Sequence, residues 1–305
     1  MKKLIECIPN FSEGRNEDTL NRLASLFKSE KGIMLLDYSS DYDHNRSVYT
    51  IVGNVRKMEK VMFKATSLAL QLIDLRKHQG VHPRMGAIDV MPFVALNEKD
   101  HDKAVAMSRR LAKKIASRLS LPVYLYEDSC ICESHRHLQD LRRGEFEGLK
   151  EKQTNPIWKP DFGKAYHETG GVVAIGVRKP LIAYNIVLDS NDLKQAKKIA
   201  SMLRENGGLL KGVKAIGVEL KTINKVQLSF NICNYHQTSI MDVYKNAEIL
   251  CKERNINILY SEIIGLISLD ASKKINYDYI KIKDEKMKTQ IIEYRIDELE
   301  GRLKC

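Results

Sequence analysis

"LIAYNIVLDSNDLKQAKKIASMLRENGG", residues 181 to 208, changes its apolar period partway along. Its first eight residues are a dense run of β-forming and aliphatic side chains. The period then changes. Apolar residues recur at Leu193, Ala196, Ile199, Ala200 and Leu203, a helical spacing, with Ser190 or Asn191 as N-cap and Gly207 just past the end. "VKAIGVEL", residues 213 to 220, reads as a strand. "KVQLSFNI", residues 225 to 232, alternates, with Val226, Leu228, Phe230 and Ile232 on one face. A second helix starts at Ser239, with Ile240, Val243, Tyr244, Ala247, Leu250 and Cys251 in one stripe. "INILYSEIIGL", residues 256 to 266, closes the series as a strand. The order is βαββαβ, that of the split-βαβ or ferredoxin-like unit.

The first half repeats that order. Strand "KLIECIP" precedes a helix over residues 17 to 28. Strands "GIMLLDY" and "SVYTIVG" follow, then a long helix over residues 56 to 75 and strand "IDVMPFVAL". A helix over residues 102 to 119 and a strand "PVYLYE" are appended. The fold class is therefore α/β (α+β): two ferredoxin-like subdomains, residues 1–178 and 179–305, joined near "GVRKPL" at residues 176 to 181. A cleft between them is the default place for a ligand. The C-terminal tail carries a helical pattern over residues 285 to 303 and no nameable chemistry.

Bulk properties narrow the function. The 305 residues and 43% hydrophobic content suffice for two cores. No apolar run approaches the roughly 20 residues that span a bilayer, and the N-terminus lacks a signal-peptide h-region. A cytoplasmic protein without membrane partner is expected. Six scattered cysteines without an export signal read as reduced thiols. The net charge of +11 favours anionic ligands. It is spread along helix faces such as "SRRLAKKIASR", and no zinc-finger spacing or RNA-binding signature accompanies it, so nucleic acid is not the expected partner.

Chemistry concentrates in "RKHQGVHPRMGAIDVMPFVAL", residues 76 to 96. His78 and His82 are four apart, a metal-pair spacing only on a helix. Gly80 lies between them and Pro83 follows His82, which pushes His82 into extended or turn backbone and spoils that pair. Two readings stay open: a surface turn with incidental histidines, or a catalytic loop entering a buried strand, with His82 as proton shuttle and Arg84 as a fork for a carboxylate. "PNFSEGRN" offers Asn10, Ser12 and Glu13, although helix capping explains these residue types equally. "DYDHNRSVYT" offers Asn45 and Arg46, although a hairpin turn explains them too. "PDFGKAYHETGGVV", residues 160 to 173, suits a loop closing over a ligand or an inter-domain linker; it is neither a Walker A loop nor GxGxxG. "CICESHRH" holds Cys130, Cys132, His135 and His137, zinc-ligand types without zinc spacing, so no metal is expected. No G-x-S-x-G elbow supports a hydrolase triad.

The blocks "IECIPNFSEGRN", "LLDYSSDYDHNRSVYTIVG", "HQGVHPRMGAIDVMPFVAL", "LPVYLYE", "RRGEFEGL", "PDFG" and "RKPLIAYNI" occur in this order. Together they resemble the formiminotransferase domain family of histidine degradation, over residues 2 to 269. The resemblance implies two ferredoxin-like subdomains, a homodimer, and transfer of a formimino group from N-formimino-L-glutamate to N5 of tetrahydrofolate, the co-substrate, releasing glutamate. It assigns catalysis to His82. It places folate on Gly163, Lys164, Ala165, Tyr166, His167, Glu168, Thr169, Gly170, Gly171 and Val172, although "KAYHET" inside that segment departs from other members. Asn10, Ser12, Glu13, Asn45, Arg46 and Arg84 are the substrate-binding candidates. No cyclodeaminase domain is seen, so the product is expected to pass to a separate enzyme. One neutral histidine can take the proton of N5 and return it to the departing nitrogen. Arginines suit the carboxylates of formiminoglutamate and the folate tail. Formyl transfer from N-formylglutamate needs the same anchors and stays open. A folate- or nucleic-acid-binding protein without turnover is the reading from another class.

Overall fold

The computed structural model describes residues 4 to 284 and 289 to 301. The chain forms two compact units, Met1–Arg178 and Lys179–Cys305. In the first, the elements in order are β1 (Leu4–Cys7), β2 (Asn10–Phe11), α1 (Glu17–Ser29), β3 (Ile33–Asp41), β4 (Arg46–Asn54), α2 (Val55–Leu72), β5 (Ile88–Ala95), α3 (His101–Leu119), β6 (Val123–Glu127), α4 (Leu138–Leu141), α5 (Leu149–Lys152) and β7 (Val173–Val177). The second contains β8 (Ile182–Leu188), α6 (Leu193–Leu203), β9 (Val213–Leu220), β10 (Lys225–Ile232), α7 (Ile240–Lys252), β11 (Ile258–Ile264), α8 (Leu269–Ser272) and α9 (Ile292–Leu299).

The second unit is an antiparallel sheet in the order β11-β8-β10-β9. Helices α6 and α7 each connect two strands that have a third strand between them. The alternation of β10 puts Val226, Leu228, Phe230 and Ile232 into the core. They meet Ala196, Ile199, Ala200 and Leu203 of α6 and the whole stripe read for α7. Ser239 and Asp242 form a capping box that starts α7. Two helix ends differ from the expectation. The N-cap of α6 is Asp192, whose carboxylate accepts the Gln195 N–H, rather than Ser190 or Asn191. The helix stops at Leu203 with extended Arg204 as C-cap, and the expected stop residue Gly207 lies in a separate 3₁₀ turn, Glu205–Gly207, that ends at left-handed Gly208. Among the described residues of the expected tail helix, Ile292–Leu299 are α-helical, and Ile291 before them is extended and bridges Ile267. Residues 285 to 288 and 302 to 305 of the expected tail helix lie outside the described residues.

The first unit repeats the element and strand order, β5-β1-β4-β3, all antiparallel. It then adds β7 and β6 in parallel beyond β5. Chain order β5-α3-β6 makes α3 the crossover, and residues 128 to 172 form an excursion that meets the sheet at Phe162 before the chain returns as β7. Helices α1, α2 and α3 cover one face: Leu23, Phe27, Met62, Leu111 and Ile115 pack on Ile5, Tyr49, Ile51, Phe93 and Ile175. The returning excursion covers the other face at the parallel end, where Leu141, Leu149 and Val172 pack on Val90, Tyr124, Tyr126 and Ala174.

Pro92 sits inside β5, a central strand, where a missing N–H would ordinarily break the ladder. The break between β1 and β2 at Ile8 and Pro9 falls opposite it, and the Pro92 carbonyl takes the Ile8 N–H at 3.1 Å. The expected helix over residues 56 to 75 stops at Leu72. Leu75 is buried in a separate 3₁₀ turn, and its N–H goes to the Thr169 carbonyl at 2.8 Å. Its apolar position therefore reflects burial, not helical period. The linker reading of residues 160 to 173 is corrected. Phe162 bridges Val123 and Val173 begins β7, so both ends belong to the first unit's sheet.

Candidate active site

Three neighbouring strand ends supply the base of a polar cluster. Asn10 lies on β2 between β4 and β5, paired with Val48 and Val90. Arg46 opens β4 and Asp89 is the second residue of β5. Arg46 donates from Nε and Nη2 to Asn10 Oδ1 at 3.1 and 2.7 Å, and from Nη1 to Asp89 Oδ2 at 2.9 Å. Asn10 is itself fixed by donating Nδ2–H to the Ile8 carbonyl at 2.7 Å. Asp89 is fully buried. Its Oδ1 accepts the Met85 N–H at 2.9 Å, and its Oδ2 also accepts from Arg142 Nη2. Burial alone would raise this carboxyl. The guanidinium groups of Arg142 and Arg46 outweigh it and hold Asp89 well below the usual carboxylate range.

His82 stands over this base in non-helical backbone after the 3₁₀ turn, as the following proline requires. Its Nδ1 lies 2.7 Å from the Pro83 carbonyl and 3.2 Å from Arg46 Nη1. The two contacts need opposite tautomers. With a proton, Nδ1 donates to Pro83 and leaves the lone pair on Nε2; without one, it accepts from Arg46. Among the described residues Nε2 has no hydrogen bond. Burial, then the charges of Arg46 and Arg142, depress the imidazole far below its ordinary value, while Asp89 acts the other way. His82 is therefore neutral at physiological pH. The ring of His44 meets it edge-on at 5.9 Å, itself held by Asp41.

Arg142 follows α4 in the excursion. Its Nε is buried and has no acceptor among the described residues. Arg84, two residues from His82, does not join the His82 cluster. Its guanidinium pairs with Glu145 and Glu147 and donates from Nε to His78 Nδ1 at 3.0 Å. His78 donates in turn from Nε2 to the Asn45 carbonyl at 2.8 Å, so both of its nitrogens are occupied.

The other expected residues build the walls. Asn45 sits in left-handed backbone and bonds Gly14 N–H and the Gln79 carbonyl. Gly14 must be glycine there: a Cβ would lie 2.3 Å from the Asp41 carbonyl oxygen. Ser12 donates to the Gly86 carbonyl at 2.8 Å. Glu13 caps the approach to α1 by accepting the Arg15 and Asn16 N–H groups. Within Gly163–Val172, residues 163 to 165 are exposed, whereas residues 170 to 172 lie along Met85 to Ala87. There Gly86 allows the close approach: its Cβ would be 1.9 Å from the Val172 carbonyl oxygen.

Among the described residues no group of three or more His, Cys, Asp or Glu is placed to hold a metal. In "CICESHRH", His135 is buried between Tyr124 and Trp158 and bonds Asp161 and the Ile157 carbonyl. Sequence reasoning missed Asp89, Arg142, Glu145 and Glu147. A carboxylate inside the otherwise apolar "IDVMPFVAL" was the available signal for the first.

The class of this two-unit chain is set by comparison with known families. The N-terminal subdomain of the formiminotransferase domain matches residues 4–178, and the formiminotransferase domain matches residues 183–300. The chain belongs to the formiminotransferase family and is a transferase. It is 40% identical over 294 residues to glutamate formimidoyltransferase of Streptococcus pyogenes serotype M1, covering 96% of this chain and 98% of that protein. The corresponding figures for glutamate formimidoyltransferase of Thermoplasma acidophilum are 37%, 92% and 93%. Formimidoyltransferase-cyclodeaminase of Dictyostelium discoideum is 38% identical, and the match spans 89% of this chain and 52% of that longer protein.

Proposed function

We propose that the protein transfers the formimino group of N-formimino-L-glutamate to N5 of tetrahydrofolate, the glutamate formimidoyltransferase activity named for relatives that match almost end to end. One observation carries the mechanism: a neutral histidine gripped at Nδ1, with Nε2 unbonded among the described residues, between two arginines that share one buried carboxylate. With Nδ1–H on Pro83, Nε2 of His82 takes the proton released when N5 bonds the amidine carbon. The imidazolium then gives that proton to the nitrogen of departing glutamate, so one ring serves as base and acid. Burial and the charges of Arg46 and Arg142 hold the His82 imidazole low. Carboxylates of the substrate beside Arg46 and Arg142 offset the positive charge that depresses His82 and lift it toward the working pH.

In this reading Asn10 and Arg46 hold the donor, and Ser12, Glu13 and Asn45 shape the backbone around it. Gly163–Val172 receives the folate, supported by its bonds to the strand entry that follows His82. Each unit is read as one formiminotransferase subdomain. We read the protein as a cytoplasmic homodimer, which sedimentation would test. The deciding experiment is a steady-state assay of the full chain with tetrahydrofolate and either formiminoglutamate or formylglutamate. Turnover only with the formyl donor would replace the donor assigned here. His82→Ala is expected to lower kcat about 10²- to 10⁴-fold with folding intact; near-normal turnover would remove His82 as the proton carrier.

A further inference from the structure

Arg84 retains 8% of its surface exposed, yet its guanidinium reaches outward to a single loop. Nη1 donates to Glu145 Oε2 at 3.0 Å and to Glu147 Oε2 at 2.8 Å, and Nη2 donates to Glu147 Oε1 at 2.6 Å. The backbone closes the same join, with the Phe146 N–H on the Arg84 carbonyl at 2.9 Å. Glu145 is held at φ +53°, a conformation that a side chain adopts only where its surroundings enforce it. Its N–H returns to the Arg142 carbonyl at 2.8 Å. At the other end Lys152 Nζ donates to the carbonyls of Asp140, Leu141 and Arg143 at 2.5, 2.7 and 3.2 Å. The segment is thus gripped on both sides of Arg142, whose side chain runs to Asp89.

We infer that Arg84 is a positioning residue: by clasping Glu145 and Glu147 it sets Arg142 against Asp89, beside His82. The inference rests on the formimino-transfer reading. It separates from the alternative, Arg84 as a ligand of a substrate carboxylate, by what each would change. A ligand lost raises KM. A clasp lost lowers kcat and changes the charge around His82. The charged and titratable groups facing His82 are Arg46 from β4, Asp89 from β5, Arg142 after α4 and His44, with its partner Asp41, from the β3–β4 turn. Arg142 opposes protonation of His82, and it also neutralises Asp89, which favours protonation. Displacing Arg142 therefore acts twice in the same direction, and the acid limb of the rate profile moves to higher pH.

The test is steady-state kinetics of the full chain with formiminoglutamate and tetrahydrofolate across pH, with thermal melting of each variant. Arg84→Met is expected to lower kcat roughly 10- to 100-fold and to move the acid limb upward, and Arg84→Lys to recover part of both. Unchanged kcat, a rise in KM alone, or a profile scaled down without moving would each overturn the role. Should Arg84→Met fail to fold, Glu147→Gln decides instead, since that carboxylate is largely exposed: a fall in kcat with a moved limb supports the clasp, and wild-type kinetics overturns it. An inactive wild-type protein would overturn the proposed function and this role with it. An active wild type with indifferent Arg84 and Glu147 variants would overturn the role alone.

Discussion

Replacing Asp89 by asparagine keeps the shape of the side chain and removes the one negative charge shared by Arg46 and Arg142. The amide cannot satisfy the site in either orientation. With its oxygen on the Met85 N–H, its NH2 points at guanidinium donors. With its oxygen on the guanidinium groups, the Met85 N–H loses the acceptor it now has at 2.9 Å. Removing one partner from a buried ion pair costs about 3–5 kcal/mol, because the remaining charge stays desolvated. At the midpoint, about 4 kcal/mol, a unit of this size should lose roughly 8–16 °C of melting temperature. The sign with pH is also fixed. The folded carboxyl lies below its unfolded value, so its stabilisation is present above pH ~4 and is lost as pH falls through the folded value. Calorimetry of wild type and Asp89→Asn should therefore show the widest gap near neutrality, narrowing in acid. A variant melting within about 2 °C of wild type at pH ~7 would refute the view of Asp89 as the buried counter-charge of both arginines.

Arg46→Lys replaces a fork that spans Asn10 and Asp89 by a single ammonium, and kcat/KM for formiminoglutamate should fall about 100-fold in steady-state assays. Burial lowers the pKa of His135, but its bonds to Asp161 and the Ile157 carbonyl raise it more, leaving it above the ordinary value. The stabilisation is then full below pH ~6.5 and lost as pH rises through the folded value, so His135→Gln should melt lower at pH ~6 and lose the wild type's dependence up to pH ~9. Gly86→Ala drives a Cβ into the Val172 carbonyl and should cost about 3 kcal/mol in urea unfolding.

The βαββαβ orders were legible because apolar period changes along the chain, and the α7 stripe and all of the α6 stripe but Leu193 are buried where the pattern puts them. Parallel pairing of β7 with β5 and β6 was not, since strand partners over such separations leave no local trace. The non-helical backbone of His82 was legible from Pro83, which follows it. Arg84 was read as a fork for a carboxylate because a guanidinium suits any carboxylate. That Glu145 and Glu147 supply those carboxylates depends on a loop some sixty positions away. His78 lacked a role in sequence for the same reason: its partners are a backbone carbonyl and an arginine brought together by tertiary structure.

The excursion between β6 and β7 carries both Arg142 and the segment Gly163–Val172, and it ends in the parallel strand that locks it to β5. Closing a chain segment this long is entropically costly and comes late relative to the local helices. The polar cluster is therefore completed by one of the most non-local pairings in its unit. On refolding, the Arg142–Asp89 contact should form after the helical signal has risen, and on the ribosome the cluster is complete only after Val177 has emerged.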